Sequence, residues 1–406
     1  MIDRAEILEL AGELSLRPEV VEKDYVLGWM LAGIARDDVL GKSWVFKGGT
    51  CLKKCFFETY RFSEDLDFTV IDAAQLDYDF LNERFKQIGA WLYDVIGIEV
   101  PVDLLRFDVY DTKRGGRAGQ GRVAYRGPMV RGGDPPRIKL DLTADEVVVM
   151  PSVMRPVAHP YSDAPEGGIE ARCYAFEEVF GEKVRALAER ARPRDLYDVI
   201  NLFRNDVFTA AAAVIRDVVQ RKCAFKGIPF PTLAALDPFK EELVGEWKNM
   251  LGHQLPALPP IESFLAALPK FFAWLDGAAR PAITVAHPLA RNTEVVRGPA
   301  GRLGLGGRST SAIETIRFAA ANRLLIDLDY RDEQGRRSTR IIEPYSLRRT
   351  QAGDVLLMAV RADNGQPRSY RIDRILDARA IDRTFSARYP VELTPTGPLS
   401  IPRTGR

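Results

Sequence analysis

Apolar residues along Arg4–Ala35 recur at the helical period: Ile7, Leu8, Leu10, Ala11 and Leu14, then Val20, Val21, Tyr25, Trp29 and Leu31. That spacing predicts amphipathic helix. Trp44-Val45-Phe46 reads as a short strand halted by Gly48-Gly49. Leu52–Phe57 can begin a helix, and Leu66–Val70 is a second short strand of alternating character. Gln75–Ile96 is helix-patterned, and residues 98–110 and 122–149 read as strands around a polar Gly/Arg loop at Thr112–Gly121. Residues 174–276 are mostly helical in pattern, over Phe176–Arg192, Leu196–Phe203 and Ala210–Cys223. From 277 to 309 the chain is rich in Gly, Pro and Arg, notably along Arg297–Arg308, which is a linker composition. Beyond it, one helix (Ala312–Ala321) precedes strands at Leu325–Arg331, Arg340–Arg348, Val355–Ala362 and Arg368–Ile375. Turn signals at Asp332–Gly335 and Asp363–Gly365 make this a small antiparallel β unit. No internal repeat is visible.

The length of 406 residues suggests two or three domains, and 46% hydrophobic content excludes wholesale disorder. No apolar run approaches the ~20 residues that span a bilayer. The opening Met1–Glu6 is charged and lacks the layout of a signal peptide, so a cytoplasmic protein with no membrane partner is expected. Four cysteines cannot form a disulfide framework in a chain this long. Cys51 and Cys55 lie four apart, one helix face, and read as buried packing residues. His159, His253 and His287 form no local pair, which argues against a zinc site or a Ser-His-Asp triad. Chemistry must then run on carboxylates, lysines and backbone. Charge divides unevenly: residues 1–279 carry 35 basic and 43 acidic groups, while residues 280–406 carry 22 arginines, no lysine and 13 acidic groups. Such a split fits either a separate anion-binding module or an Arg-rich solvated surface.

The chemistry concentrates in Phe46-Lys-Gly-Gly-Thr-Cys-Leu-Lys-Lys54 and Arg61-Phe-Ser-Glu-Asp-Leu-Asp-Phe68. Gly48 and Gly49 let the backbone approach a phosphate, and a helix start there favours an anion. Asp65 and Asp67, one residue apart in a strand, project to the same face. Paired carboxylates call for a cation between them, and Mg2+ with oxygen ligands and substrate phosphates suits that role. Taken singly, Gly48-Gly49 is also a tight turn and Asp65-x-Asp67 an exposed strand edge. Together they describe a nucleoside triphosphate held by metal.

These strings resemble the polymerase β-like nucleotidyltransferase superfamily, and within it the AbiEii/AbiGii toxin family, over roughly residues 15–270. The Gly48–Lys54 stretch is similar to that family's Gly-Gly-Thr-x-Leu-x-Lys pattern, and Arg61–Phe68 is identical to its second motif. The resemblance implies an α+β fold: a nucleotidyltransferase core (1–155) of mixed sheet with helices, then a helical subdomain (156–280) completing the nucleotide site. It implies a third carboxylate on a later strand, supplied by Asp141 in Ile138-Lys139-Leu140-Asp141-Leu142. The stretch Glu182-Lys183…Arg190, then Arg194-Asp195-Leu-Tyr-Asp198, is similar to the family's helical signature. By that resemblance Gly48, Gly49, Thr50, Lys53, Ser63 and Lys183 hold the nucleotide, and Asp195 orients Lys183 or a neighbouring Arg. Arg190 and Asp198 also fit a salt-bridged helix surface. Asp65, Asp67 and Asp141 would hold two Mg2+ ions, with Asp141 taking the acceptor proton. The family implies an NTP substrate, a tRNA acceptor, a cognate antitoxin and a role in toxin–antitoxin or phage-abortive systems.

The C-terminal unit has a resemblance of its own. Asp329–Gly335, Arg340–Leu347 and Arg368–Ile375 are similar to a WYL domain, an Sm-like β-barrel, over about residues 310–395; the name-giving triplet reads Val355-Leu356-Leu357 here. Residues 281–309 would be the linker and 396–406 a tail. The resemblance implies a nucleic-acid or nucleotide ligand at Tyr330, Arg340, Tyr370, Arg371 and Arg374; those arginines also fit ion pairs with Asp329, Glu343 and Asp373. Two further readings compete with the toxin: a sensing regulator that uses this domain, and a housekeeping nucleotidyltransferase acting on protein or a small molecule.

Overall fold

The computed structural model describes residues 1–14, 16–57, 61–129, 132–205, 210–280, 282–296 and 307–393. It divides into two compact units. The first comprises Met1–Phe56, Arg61–Glu182 and Asp217–Pro229; the second, Phe57–Tyr60, Lys183–Arg216 and Phe230–Arg406. Along the chain run α1 (Arg4–Leu14), α2 (Pro18–Arg36), α3 (Leu40–Ser43), β1 (Trp44–Lys47) and α4 (Gly48–Cys51), which passes into a π-helical turn at Leu52–Phe56. Then come β2 (Asp65–Val70), α5 (Tyr78–Ile96), β3 (Arg106–Asp111), β4 (Arg117–Ala124), β5 (Arg137–Thr143), β6 (Val153–Pro156) and β7 (Glu170–Cys173). The helices α6 (Phe176–Arg190), α7 (Pro193–Arg204) and α8 (Ala212–Lys226) follow.

Local chemistry sets these boundaries. Pro18 opens α2, where its missing N–H is not needed. Asp77 caps α5 by accepting from the amide of Phe80, and Gly97 closes it at a φ of 74°. The seven strands of the first unit form one mixed sheet in the order β3-β4-β5-β2-β1-β7-β6. Strand β4 starts inside the stretch read as a loop, because Gly121 lets it lie close: a Cβ there would meet the Phe107 ring at 2.7 Å and Leu140 at 2.9 Å.

Alternation gives the sheet one apolar and one polar face. Trp44, Phe46 and Phe68 stack in tilted contacts on the apolar face, with ring centroids 5.2 and 5.3 Å apart, and Leu66 and Leu140 are fully buried. On the opposite face Lys47 pairs with Asp67, and β2 runs parallel to β5 with Asp65 beside Lys139 and Asp67 beside Asp141.

Helix α2 is pinned by a buried polar group. Lys54 lies 2.9 Å from Asp24, which also accepts from the Tyr161 hydroxyl at 2.9 Å. His159 packs beside them against Tyr25, Trp29 and Tyr161. Gly28 makes room for it, since a Cβ at that position would come within 2.1 Å of His159 Nδ1. Burial, reinforced by the Lys54 cation and opposed by Asp24, lowers the imidazole pKa to about 3. The unfolded chain therefore takes up this proton near pH ~6.5 and the folded chain does not. Stability is full above that pH and declines by several kcal/mol as pH falls toward about 3. His159→Phe should flatten this acid limb, measured as thermal midpoint between neutral and acid pH; an unchanged slope would remove His159 as its cause.

In the second unit, α7 packs with α9 (Lys240–Leu251), α10 (Glu262–Leu265) and α11 (Leu268–Leu275) through Tyr197, Trp247 and Phe264, and through Phe203, Phe271 and Trp274. Then come β8 (Thr293–Val295), α12 (Gly307–Ala321), β9 (Leu324–Arg331), β10 (Arg337–Thr350), β11 (Val355–Arg361), β12 (Pro367–Arg371) and β13 (Ile375–Thr384). Part of the stretch read as linker is built into this sheet: β8 pairs with Arg348–Thr350, and buried His287 sits 3.1 Å from the Ala359 carbonyl. Residues 281 and 297–306 of that stretch, and the tail 396–406, lie outside the described residues. The strand path is β12-β11-β10-β9-β13, with β8 added on β10. The expected Sm-like barrel is not closed, because β12 and β13 end opposite edges of this path among the described residues. The apolar side of the sheet is covered instead by α12, whose Ile313, Ile316, Ala319 and Ala320 are buried. A helix lid satisfies the hydrophobic face without closure.

Candidate active site

The chain leaves β1 through Gly48, whose φ of 80° favours glycine. A Cβ at Gly48 would lie 2.0 Å from Asp67 Oδ2; one at Gly49 would lie 2.7 Å from an Arg61 guanidinium nitrogen and 3.1 Å from Ser63 Oγ. The two motifs thus form one piece, with the turn pressed onto the carboxylate strand. Thr50, buried, donates its hydroxyl to the Asp65 carbonyl at 2.5 Å, which fixes the turn to β2. Lys53 is buried with its ammonium 4.6 Å from the Phe62 ring centre. Gly48→Ala should destabilise the chain by ~1–3 kcal/mol through the left-handed backbone and the Asp67 clash. Thermal denaturation checks this; a wild-type midpoint would contradict it.

The β2–β5 register puts Asp65, Asp67 and Asp141 on one half-exposed face. Lys139 Nζ donates to Asp141 Oδ2 at 2.8 Å. Burial works against the charge on Lys139, but the hydrogen bond to Asp141 and the fields of Asp141, Asp65 and Asp67 outweigh it and raise its pKa. The face therefore gathers three carboxylates beside this ammonium and is rich in oxygen donors. That donor set fits a hard divalent cation such as Mg2+, which prefers carboxylate oxygens and retains water and phosphate ligands.

Along the same face beyond Asp67 lies a buried charged layer whose pairing the sequence does not show. Lys47 approaches Glu182 at 3.3 Å and Glu146 at 3.8 Å. Lys222, with no exposed surface, lies 2.7 Å from Glu178, 3.4 Å from Glu182 and 3.5 Å from Glu146. Thr69 and Tyr174 share a 2.5 Å hydrogen bond beside it. Only the Lys47-Gly48 junction and the Glu178-x-x-x-Glu182 spacing hinted at this, because Lys222 arrives from a distant helix.

The helical signature residues belong to the second unit. Lys183 pairs with the fully buried Asp198 at 2.7 Å, so Asp198 is a core partner rather than a surface one. Asp195, also fully buried, receives two bonds from Arg190, at 2.7 and 2.9 Å. In the C-terminal sheet, Tyr330 and Tyr370 meet edge-on at 5.2 Å, and Tyr370 is largely covered. Arg371 pairs with Asp354 and Asp373, Arg374 with Glu333, and Arg340 donates to the Thr339 carbonyl. Asp329 pairs with Arg337, and Glu343 with Arg388.

A glycine turn clasping an Asp-x-Asp strand, with a third carboxylate in register on the next strand of a mixed sheet, defines a nucleotidyltransferase. Two family descriptions match the chain. That of the nucleotidyltransferase AbiEii toxin of type IV toxin–antitoxin systems matches residues 29–276, and that of the WYL domain matches residues 311–380. The chain belongs to the AbiEii nucleotidyltransferase toxin family and carries a WYL domain after it. Among solved structures, it is similar to MenT4, a nucleotidyltransferase toxin from Mycobacterium tuberculosis, at 20% identity over 69% of this chain and 91% of that one, with a TM-score of 0.42. It also shows a likeness to the proteasome accessory factor PafBC of Arthrobacter aurescens, at 13% identity over 93% of this chain and 74% of that one, with a TM-score of 0.21. No curated protein matches the chain in sequence. Among the described residues no helix is long and apolar enough to cross a membrane.

Proposed function

We propose that the chain moves the nucleotidyl group of an NTP onto an acceptor hydroxyl of RNA, with tRNA as the first candidate, and that this arrests growth until an antitoxin restrains it. The observation that supports this reading most is the register that aligns Asp65, Asp67 and Asp141 on one face beside the Gly48-Gly49 turn. Those three carboxylates would hold Mg2+, which when bound supplies positive charge to the phosphates. Gly48 and Gly49 let Asp67, Arg61 and Ser63 close in on the turn, and the Ser63 hydroxyl would be offered to a phosphate there. Asp141 is placed to accept the acceptor proton, while Lys139 keeps its carboxylate oriented. In the transfer, a bond forms between the acceptor oxygen and the α-phosphorus, the bond to the β-phosphate oxygen breaks, and pyrophosphate leaves. Lys183, held by Asp198, is assigned by the family motif to the triphosphate charge, with Asp195 fixing Arg190. Induced expression should stop growth, and the Asp65→Asn, Asp67→Asn variant should not. Undisturbed growth with soluble wild-type protein would instead favour a housekeeping transferase.

For the WYL domain we infer binding of single-stranded nucleic acid through its exposed basic edge. Arg336, Arg337 and Arg379 keep 77%, 72% and 78% of their side chains exposed even while ion-paired. Tyr330, Arg340, Tyr370 and Arg371 lie on strands of the same sheet, and Arg374 in the turn between β12 and β13. The full chain should bind a single-stranded oligonucleotide with affinity that falls steeply as salt rises. Absent or salt-independent binding would remove this role.

A further inference from the structure

Three of the four cysteines converge in the first unit. Cys51 and Cys55 sit on the turn that follows the Gly-Gly motif, and Cys173 ends β7, in register with Phe46. Their sulfur atoms lie within 4.8 Å of one another, and all three residues are buried. Three thiolates around a d10 cation bring their sulfurs ~4 Å apart, given metal–sulfur bonds of ~2.3 Å. The π-helical turn at Leu52–Phe56 carries Cys55, and such turns concentrate at functional sites. Charge is provided for as well: Arg155, whose Nε donates to the Cys55 carbonyl at 3.0 Å, acts on both Cys55 and Cys173 as the local cation. Among the described residues no His, Asp or Glu joins this group.

We propose that Cys51, Cys55 and Cys173 form a three-thiolate site for a soft d10 cation, Zn2+ or Cu+, which ties the turn behind Gly48-Gly49-Thr50 to strand β7. Thiolate sulfur selects these ions over the hard Mg2+ suited to the carboxylate face, so the two sites do not compete. With Arg155 adjacent, three thiolates and a divalent ion leave the site neutral overall.

The test uses the full chain, reduced and metal-free, titrated anaerobically with Cd2+ as probe, then with Zn2+ and with Cu+. One ion per chain, with a thiolate-to-metal charge-transfer absorption and a raised thermal midpoint, is the expected result. Competition between Zn2+ and Cu+ then identifies the stronger ligand pairing. Cys51→Ser, Cys55→Ser and Cys173→Ser should each lose the absorption, and Cys223→Ser should keep it. Should the serine variants fail to fold, X-ray absorption at the metal edge of the wild-type complex decides instead. Three sulfur scatterers support the site. Nitrogen and oxygen scatterers, no stoichiometric binding, or binding retained without any one of the three cysteines overturns it.

Discussion

Replacing Asp65 and Asp67 together by Asn should lower nucleotidyl transfer by at least ~10³-fold, since preorganised charge at a phosphoryl centre is a leading catalytic factor. The same variant should fold, and its thermal midpoint should stay level or rise. Three carboxylates share one face beside Lys139. Neutralising two relieves repulsion, and the Lys139–Asp141 bond remains. Active sites commonly hold such destabilising charge for function. A variant that loses both activity and fold would mean that these aspartates are structural. One that keeps activity would place the chemistry elsewhere.

The second large effect is on stability. Lys222→Met should destabilise the chain by ~3–5 kcal/mol, because it removes the ammonium that Glu178 faces inside the protein. Lys222 has no exposed surface and serves Glu178, Glu146 and Glu182. Burial opposes its charge, but those three carboxylates outweigh burial and raise its pKa. Its contribution is therefore complete below the ordinary lysine pKa and lost only as pH rises through the raised value. A loss of that size is a large part of the ~5–15 kcal/mol that holds a typical domain. Glu178→Gln added to Lys222→Met should recover part of the loss, since Glu178 also accepts from the Val149 and Met150 amides. Chemical denaturation of the two single variants and the double variant measures the coupling. Independent, additive losses would contradict the charged layer as a unit.

What could be read from the sequence was what local rules encode. Gly48-Gly49 directly follows β1 and Asp65-x-Asp67 lies on β2, so turn chemistry and alternation exposed the turn and the shared face of the two aspartates before any fold was known. Asp141 came from resemblance alone, because a parallel neighbour is chosen by tertiary packing and leaves no local mark. The same holds for Lys222 and Cys173, each brought in by an element far along the chain. Cys51 and Cys55 are buried, as their spacing suggested, and their neighbour Cys173 is supplied by an element far along the chain. The short β8 hid in a Gly/Pro-rich stretch, where its few residues draw their order from β10 rather than from their own pattern. The barrel expectation failed for a related reason. Strand pattern specifies a sheet, whereas closure depends on whether a helix covers the apolar face first, as α12 does.

The most direct test of the central claim is transfer of α-32P label from each of the four NTPs, with Mg2+, onto total tRNA and onto the protein itself. The protein would be run beside the Asp65→Asn, Asp67→Asn variant. Label on RNA from one preferred NTP, absent with the variant, is the predicted result. Label on no acceptor, or equal labelling by wild type and variant, would contradict it.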